Sequence, residues 1–252
     1  MSVAGVNPKQ IELMQQVTLW KVFCRQEDGL VELRSHAGKV YDRGMENGPE
    51  RDLTAFILAG GKSTRMGADK AFVDYAGRTL LARALDLARS VAFDVRIVGS
   101  KEKFAAFAPV VEDVICDCGP LGGIHAALQA SSTELNIVLA VDVPFISWAF
   151  LQYLIKQARG APEAAVVVPR GDEGWQPLCA IYRREFAGVA ERALRAGRNK
   201  IDRLFDEVQT RVVEQEELEG AGFSPAIFRN LNTPEELEGE KRRGAINLWR
   251  AQ

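Results

Sequence analysis

L-T-A-F-I-L-A-G-G-K-S-T-R-M-G-A-D-K, residues 53–70, couples a short apolar run to a glycine-rich, basic loop. The run 53–58 is too short for a stable helix and ends at Ala59-Gly60-Gly61, which predicts a buried strand feeding a glycine turn. Two adjacent glycines remove the side chains that would keep a ligand away from backbone N–H groups. Cations follow at Lys62, Arg65 and Lys70, with one more glycine at Gly67. A strand emptying into such a loop is a place to hold a polyphosphate. A solvated tight turn is the commoner fate of a Gly-Gly pair, but here strand, glycines and spaced cations coincide. Gly61-Lys62-Ser63-Thr64 imitates the end of a P-loop, yet that motif needs glycine at position 56, where Phe56 stands.

Downstream, apolar residues at helical spacing predict a helix over 79–91, a strand over 94–98 and a short helix over 101–107. A brief strand at 110–111 ends in Glu112-Asp113. A loop leads to Gly119-Pro120-Leu121-Gly122-Gly123, and 124–130 continues as helix. Residues 136–141 are nearly all apolar, as expected of a parallel strand covered on both faces. Ser147 is placed to cap a helix running to Arg159. Strand and helix in alternation predict a doubly wound, mostly parallel sheet. The later half differs. Strands over 164–169 and 177–182, joined by the polar turn 170–174, allow an antiparallel pair. A helix over 184–195, a short helix over 201–205 and edge strands over 210–213 and 227–231 complete the pattern. Thr233-Pro234-Glu235-Glu236 carries the signals of a capped helix start.

Residues 1–52 are expected to form an extension of unknown role, ahead of a domain over 53–252. Alternation over 17–24 and 30–33 around Glu27-Asp28-Gly29 suggests a hairpin in that extension. Met45 is a candidate functional start, followed by a polar stretch over 46–52. The chain has 252 residues, a net charge of −2 and 26% charged residues, which argues against a general nucleic-acid binder. A compact fold of this length buries roughly 70–75% of its unfolded-state surface, so it needs no disulfide or metal staple. Cys24, Cys116, Cys118 and Cys179 make no disulfide framework, and Cys116-Asp117-Cys118 lacks a second pair to suggest a metal site. His36 and His125 have no ligand spacing to another His or Cys, and are expected to be structural or solvent-facing. No signal pattern and no apolar run of membrane-spanning length is visible, so a reducing cytoplasm is expected.

In an open parallel sheet, ligands bind beyond the carboxyl ends of the strands. The glycine loop, Glu112-Asp113 and Asp142 all fall at such ends. Asp142 follows the most apolar strand and precedes Val143-Pro144. A carboxylate there is costly unless paired or metal-bound. A capping or salt-bridged aspartate is the plain alternative; beside the glycine loop, Mg²⁺ is favoured, since it takes one or two carboxylates and completes its shell with water and phosphate oxygens.

These segments together resemble the molybdenum cofactor guanylyltransferase family of the nucleotidyltransferase superfamily. The likeness runs through L-A-G-G-x-S-x-R-M-G-x-D-K, Gly119-Pro120-Leu121-Gly122-Gly123, Val141-Asp142-Val143-Pro144 and Asn230-Leu231-Asn232-Thr233-Pro234, about residues 53–240. It implies a three-layer Rossmann-like α/β fold, with a mostly parallel sheet and at least one antiparallel strand. It implies GMP transfer from GTP to the terminal phosphate of molybdopterin, with Mg²⁺ held by Asp142. By matching positions, Leu58, Ala59, Gly60 and Gly61 would meet the guanine nucleotide, and Lys70 and Arg65 its phosphates. Asp113 would meet the guanosine, with Asp117 a second register for that contact. The family often has Asn after the second strand, where this chain has Gly99-Ser100. Trp175, Gln176, Pro177 and Leu178, with Asn230 and Asn232, resemble segments lining the pterin side, and Arg198-Asn199-Lys200 is a basic turn that could meet its phosphate. The plain alternatives are that Trp175 covers an edge and Asn232 shapes the turn before Thr233. The rival readings are transfer from CTP or to a sugar phosphate, and a catalytically silent nucleotide-binding module. Gly60, where the cytidylyl branch tends to carry alanine, favours guanine. GTP and molybdopterin are thus the expected partners, with transient contact to proteins that deliver or receive the cofactor, and neither nucleic acid nor membrane.

Overall fold

The computed structural model describes residues 48–60, 69–113, 118–171 and 174–230. The expected hairpin in the extension, the candidate start at Met45, Gly61 and Arg65 of the loop, Asp117, and Asn232 with its capped helix start lie outside these residues.

Strand β1 spans Glu50–Leu58 and is buried from Leu53 onward. It begins three residues before the expected boundary, because the polar residues ahead of the apolar run pair rather than link. Glu50 N–H donates to Val91 O at 2.9 Å, and Glu50 and Asp52 both accept from Arg159. A hairpin of β2 (Asp74–Tyr75) and β3 (Arg78–Thr79) leads into α1 (Leu80–Arg89), whose Thr79 side chain accepts from Ala82 N. Then come β4 (Ala92–Val98), α2 (Lys101–Phe104), β5 (Val110–Val111), α3 (Gly119–Ala130), β6 (Leu135–Ala140) and α4 (Trp148–Gly160). Ser147 caps α4 as expected, accepting from Phe150 N. The rest is β7 (Val166–Gly171), β8 (Gly174–Trp175), β9 (Cys179–Arg183), α5 (Phe186–Arg195), β10 (Thr210–Val213) and α6 (Gln215–Gly220), with a 3-10 turn at Asp202–Glu207.

One sheet organises the described residues in the order β10-β7-β9-β6-β1-β4-β5, with β8 beside β7. β1 pairs parallel with β4 and β6, β4 with β5, and β7 with β10. β9 runs antiparallel between β6 and β7, as the turn-rich later half allows. Helices α3 and α5 cover one face, over Phe56, Val98, Val138, Val168 and Tyr182. Helices α1 and α4 cover the other: α1 packs on β1 and β4, α4 on β7 and β9. The result is a three-layer α/β sandwich.

Two polar residues within the apolar strands are satisfied at the edge away from the site. Thr54 Oγ1 lies 2.8 Å from Thr133 Oγ1, and Asn136 Nδ2 donates to Glu134 O at 3.0 Å. His125 is buried, and neither ring nitrogen has a hydrogen-bond partner. Two expectations fail. The helix expected over 101–107 closes after one turn. Of the edge strand expected over 227–231, the described residues 227–230 form none: Pro225–Phe228 is a 3-10 turn, started by the Ser224 side chain accepting from Ala226 N, and it drives Phe228 onto the Phe150 ring.

Candidate active site

The chain leaves β1 toward β4 and β5, but leaves β6 toward β7, so the topology reverses between β1 and β6. A crevice opens at such a point, at the carboxyl ends of the parallel strands. Leu58, Val98 and Ala140 share a row there by register. Val141 N donates to Leu58 O at 3.2 Å, and Ala140 N to Leu178 O at 2.8 Å. Asp142 therefore emerges between the ends of β1 and β9.

Lys70 reaches it from the far end of the glycine loop. Lys70–Phe72 is a single 3-10 turn whose preceding Asp69 carboxylate accepts from Ala71 N. Asp69 is held in turn by Lys103 Nζ at 2.9 Å, and Phe72 lies 5.8 Å from both the Phe104 and Phe107 rings. So anchored, Lys70 Nζ stands 3.0 Å from Asp142 Oδ2, each side chain about a fifth exposed, at 22% and 20%. The structure thus brings together two predicted residues that lie 72 positions apart.

The glycine segment is built differently from the expectation of bare amides. Ala59 N and Gly60 N both donate to Val98 O, at 3.0 and 3.2 Å. These two amides belong to the sheet, as does the Leu58 carbonyl, which accepts from Val141 N. A Cβ on Gly60 would lie 3.6 Å from the Gly99 Cα, and one on Gly99 would lie 3.3 Å from Gly60 N and 3.0 Å from the Phe104 ring. The tight position is Gly99, which lets Phe104 and the end of β1 approach; a Cβ on Gly60 would make only ordinary van der Waals contact. Asp113 stands exposed two residues beyond β5, where partial desolvation raises its carboxyl pKa. The Ser100 side chain, at the start of α2, makes no capping bond. Glu112 Oε1 instead accepts from Lys101 N at 3.0 Å.

On the β6–β9–β7 side the predicted pterin residues are already engaged. The Trp175 ring packs 5.1 Å from Phe205 and 5.1 Å from the Arg170 guanidinium, which is itself bidentate on Glu214. Gln176 N donates to Pro169 O at 2.9 Å, and Pro177 O accepts the Tyr182 hydroxyl at 2.8 Å. Asn230 is exposed, and Arg198 of the basic turn pairs with Glu207. A row of rings and guanidinium groups was missed in the sequence. Arg83 lies 5.1 Å over Tyr75, Tyr75 meets Phe145 edge-on at 5.9 Å, and Arg229 lies 5.7 Å over Phe145. Its members come from four separate stretches, so no local pattern announces them; only the place of Phe145, three residues after Asp142, was a signal.

An open parallel sheet with one inserted antiparallel strand, and a lysine–aspartate pair at its switch point, defines a Rossmann-like nucleotidyltransferase. Residues 55–213 match the MobA-like NTP transferase domain, and the chain belongs to that family. It is 35% identical over 201 residues to the molybdenum cofactor guanylyltransferase of Desulfosudis oleivorans, covering 79% of this chain and 98% of that relative. The enzyme of the same name from Syntrophotalea carbinolica is 33% identical, over 76% and 91% of the two chains. Among solved structures, molybdopterin-guanine dinucleotide biosynthesis protein A from Archaeoglobus fulgidus superposes with a TM-score of 0.66 at 27% identity, covering 76% of this chain and 98% of that one. 2-C-methyl-D-erythritol 4-phosphate cytidylyltransferase from Thermus thermophilus, at 16% identity and a TM-score of 0.55 over 75% and 98% of the chains, shares the fold. Among the described residues no helix is long and apolar enough to cross a membrane.

Proposed function

We propose that this chain transfers GMP from GTP to the terminal phosphate of molybdopterin, giving the guanine dinucleotide form of the cofactor and pyrophosphate. The Lys70–Asp142 pair at the switch point carries the reading, because it sets a cation and a carboxylate side by side where a triphosphate and its metal would meet. An oxygen of the acceptor phosphate attacks the α-phosphorus of GTP in line, and the bond to the β-phosphate oxygen breaks. The electron pair leaves with pyrophosphate. Such chemistry needs positioning and charge neutralisation more than a covalent nucleophile. Lys70, with Arg65, offsets the charge gathering on the leaving pyrophosphate. Leu58, Ala59, Gly60 and Gly61 lie against the guanine nucleotide, and Asp113 against its guanosine.

The donors present fit Mg²⁺. Among the described residues no cluster of three metal-type ligands exists. Asp142 offers one half-buried carboxylate, of which Lys70 engages Oδ2. A single carboxylate beside phosphate oxygens and water is a common Mg²⁺ arrangement, whereas Zn²⁺ or Ca²⁺ would ask for more protein ligands. Asp142 would hold the ion, which supplies neutralisation of the phosphate oxygens it touches. The reaction belongs in the cytoplasm in this reading, with transient contact to proteins that deliver the pterin or receive the dinucleotide.

The test is incubation of the full chain with Mg²⁺, a molybdopterin-loaded acceptor and GTP, CTP or ATP in turn. A guanine dinucleotide with stoichiometric pyrophosphate from GTP alone is expected. Turnover with CTP in its place, or GTP binding without product, would refute the assignment.

A further inference from the structure

We propose that Lys103 is a positioning residue for the transfer, acting through Asp69 on the turn that carries Lys70. The inference rests on the guanylyl-transfer reading and deepens it, by naming what keeps the cationic arm of the crevice in place.

The Lys70 arm has little structure of its own. Lys70–Phe72 is one 3-10 turn of three residues, a piece too short to hold its place unaided. Its far end is fixed by α1, where Leu80 N donates to Val73 O at 3.0 Å. Its near end, beside Lys70, leans on α2. There Lys103 Nζ donates to Asp69 Oδ2 at 2.9 Å, and the Phe72 ring lies 5.8 Å from that of Phe104. α2 is itself tied to the chain beyond β5, since Lys101 N donates to Glu112 Oε1 at 3.0 Å. One helical turn therefore links the end of β5 to the turn bearing Lys70.

The two oxygens of Asp69 have separate tasks. Oδ1 accepts from Ala71 N at 3.2 Å and starts the turn, while Oδ2 takes the Lys103 ammonium. Lys70 Nζ meets Asp142 Oδ2 at 3.0 Å, one residue along the chain from this second carboxylate. With its charge met by Lys103, Asp69 does not compete with Asp142 for the Lys70 ammonium. Lys103 is 56% exposed and Asp69 25%, so the pair adds little to the stability of the fold. Its weight falls on geometry, because a small displacement of a charged group from the reacting phosphates lowers the rate steeply.

The plain alternative is a surface ion pair with no part in the reaction. Steady-state pyrophosphate release by the full chain, with Mg²⁺, GTP and the molybdopterin-loaded acceptor, separates the two. Lys103→Met is expected to lower kcat about fivefold, to change KM for GTP by less than about twofold and to keep the thermal midpoint. Lys103→Arg should restore most of the rate. Because Lys103 acts through Lys70, Lys103→Met should cost nothing further in a Lys70→Ala background. Wild-type kcat in Lys103→Met would overturn the assignment. So would the same fractional loss on top of Lys70→Ala, which would make Lys103 an independent contact. Wild-type chain that releases pyrophosphate from CTP and not from GTP would overturn the guanylyl reading alone, and the same pair of backgrounds assayed with CTP would still decide the role of Lys103. Wild-type chain inactive on every nucleotide would overturn both.

Discussion

On the β1–β4–β5 side of Asp142 the crevice is made of backbone, and on the β6–β9–β7 side it is made of side chains. The first half ends in glycines packed Cα against amide, with Ala59 and Gly60 sharing one carbonyl of the neighbouring strand. The second half ends in rings and guanidinium groups from distant stretches, set against one another. The backbone surface is tight at Gly99, where an added methyl group meets Phe104 and Gly60, and does not depend on side-chain rotamers. The side-chain surface accepts conservative exchange but fails piece by piece. The two halves should therefore respond differently to mutation.

The largest effect should come where they meet. Asp142→Ala and Lys70→Ala are each expected to lower kcat for pyrophosphate release about a hundredfold or more, since loss of one preorganised contact costs on the order of 3 kcal/mol in the transition state. The fold should survive, because both groups stand at the crevice rather than in the core. A variant within tenfold of wild type would show that the meeting point lies elsewhere.

Next is the backbone half. Gly99→Ala places a methyl group 3.0 Å from Phe104 and 3.3 Å from Gly60 N. The strands must part slightly, at a cost of about 1–3 kcal/mol in stability. KM for GTP is expected to rise about tenfold while affinity for the pterin phosphate holds. Equal losses for both substrates would erase the distinction between the halves.

The alkaline limit should be set in the side-chain half, on β9. Burial pushes the Cys179 thiol and the Tyr182 phenol above their ordinary ranges. The folded state keeps both protonated, so their contribution is full below the unfolded pKa values of about 8.5 and 10 and is lost as pH rises beyond them. Thermal midpoints are expected to fall steadily above about pH 8.5. Cys179→Ala should flatten the first part of that decline, and an unchanged slope would show that another group governs it. The smallest effect belongs to a contact that touches neither half. Arg159 clamps Glu50 and Asp52 at the edge away from the crevice, and Arg159→Ala should cost about 0–1 kcal/mol with both substrate affinities intact.

The same division explains what could be read in the sequence. Alternating apolar runs and the Ser147 cap gave the parallel sheet and its helices, because buried strands and helix starts leave local marks. Asp142 and Lys70 were legible for a related reason: each ends or follows a pattern that is itself local. The start of β1 was missed because Glu50 and Asp52 are satisfied by Arg159, a residue more than a hundred positions away. The bare amide expected at Gly60 proved bound, because strand pairing with β4 claims it and no spacing rule reveals that partner. Residues 227–231 looked like a strand by composition, but Pro225 and the Ser224 cap turn that segment inward. The row from Arg83 to Arg229 was invisible, since nothing in any of its four stretches names the others.

The ion pair of Lys70 with Asp142 has one more consequence for the proposed reaction. Before substrate arrives, the two groups neutralise each other. A metal–triphosphate carries the same two signs, so its arrival permits an exchange of partners: ammonium to phosphate, carboxylate to cation. Neither protein charge need stand alone in that exchange, and the crevice can admit a highly charged guest while its own ionic balance stays level.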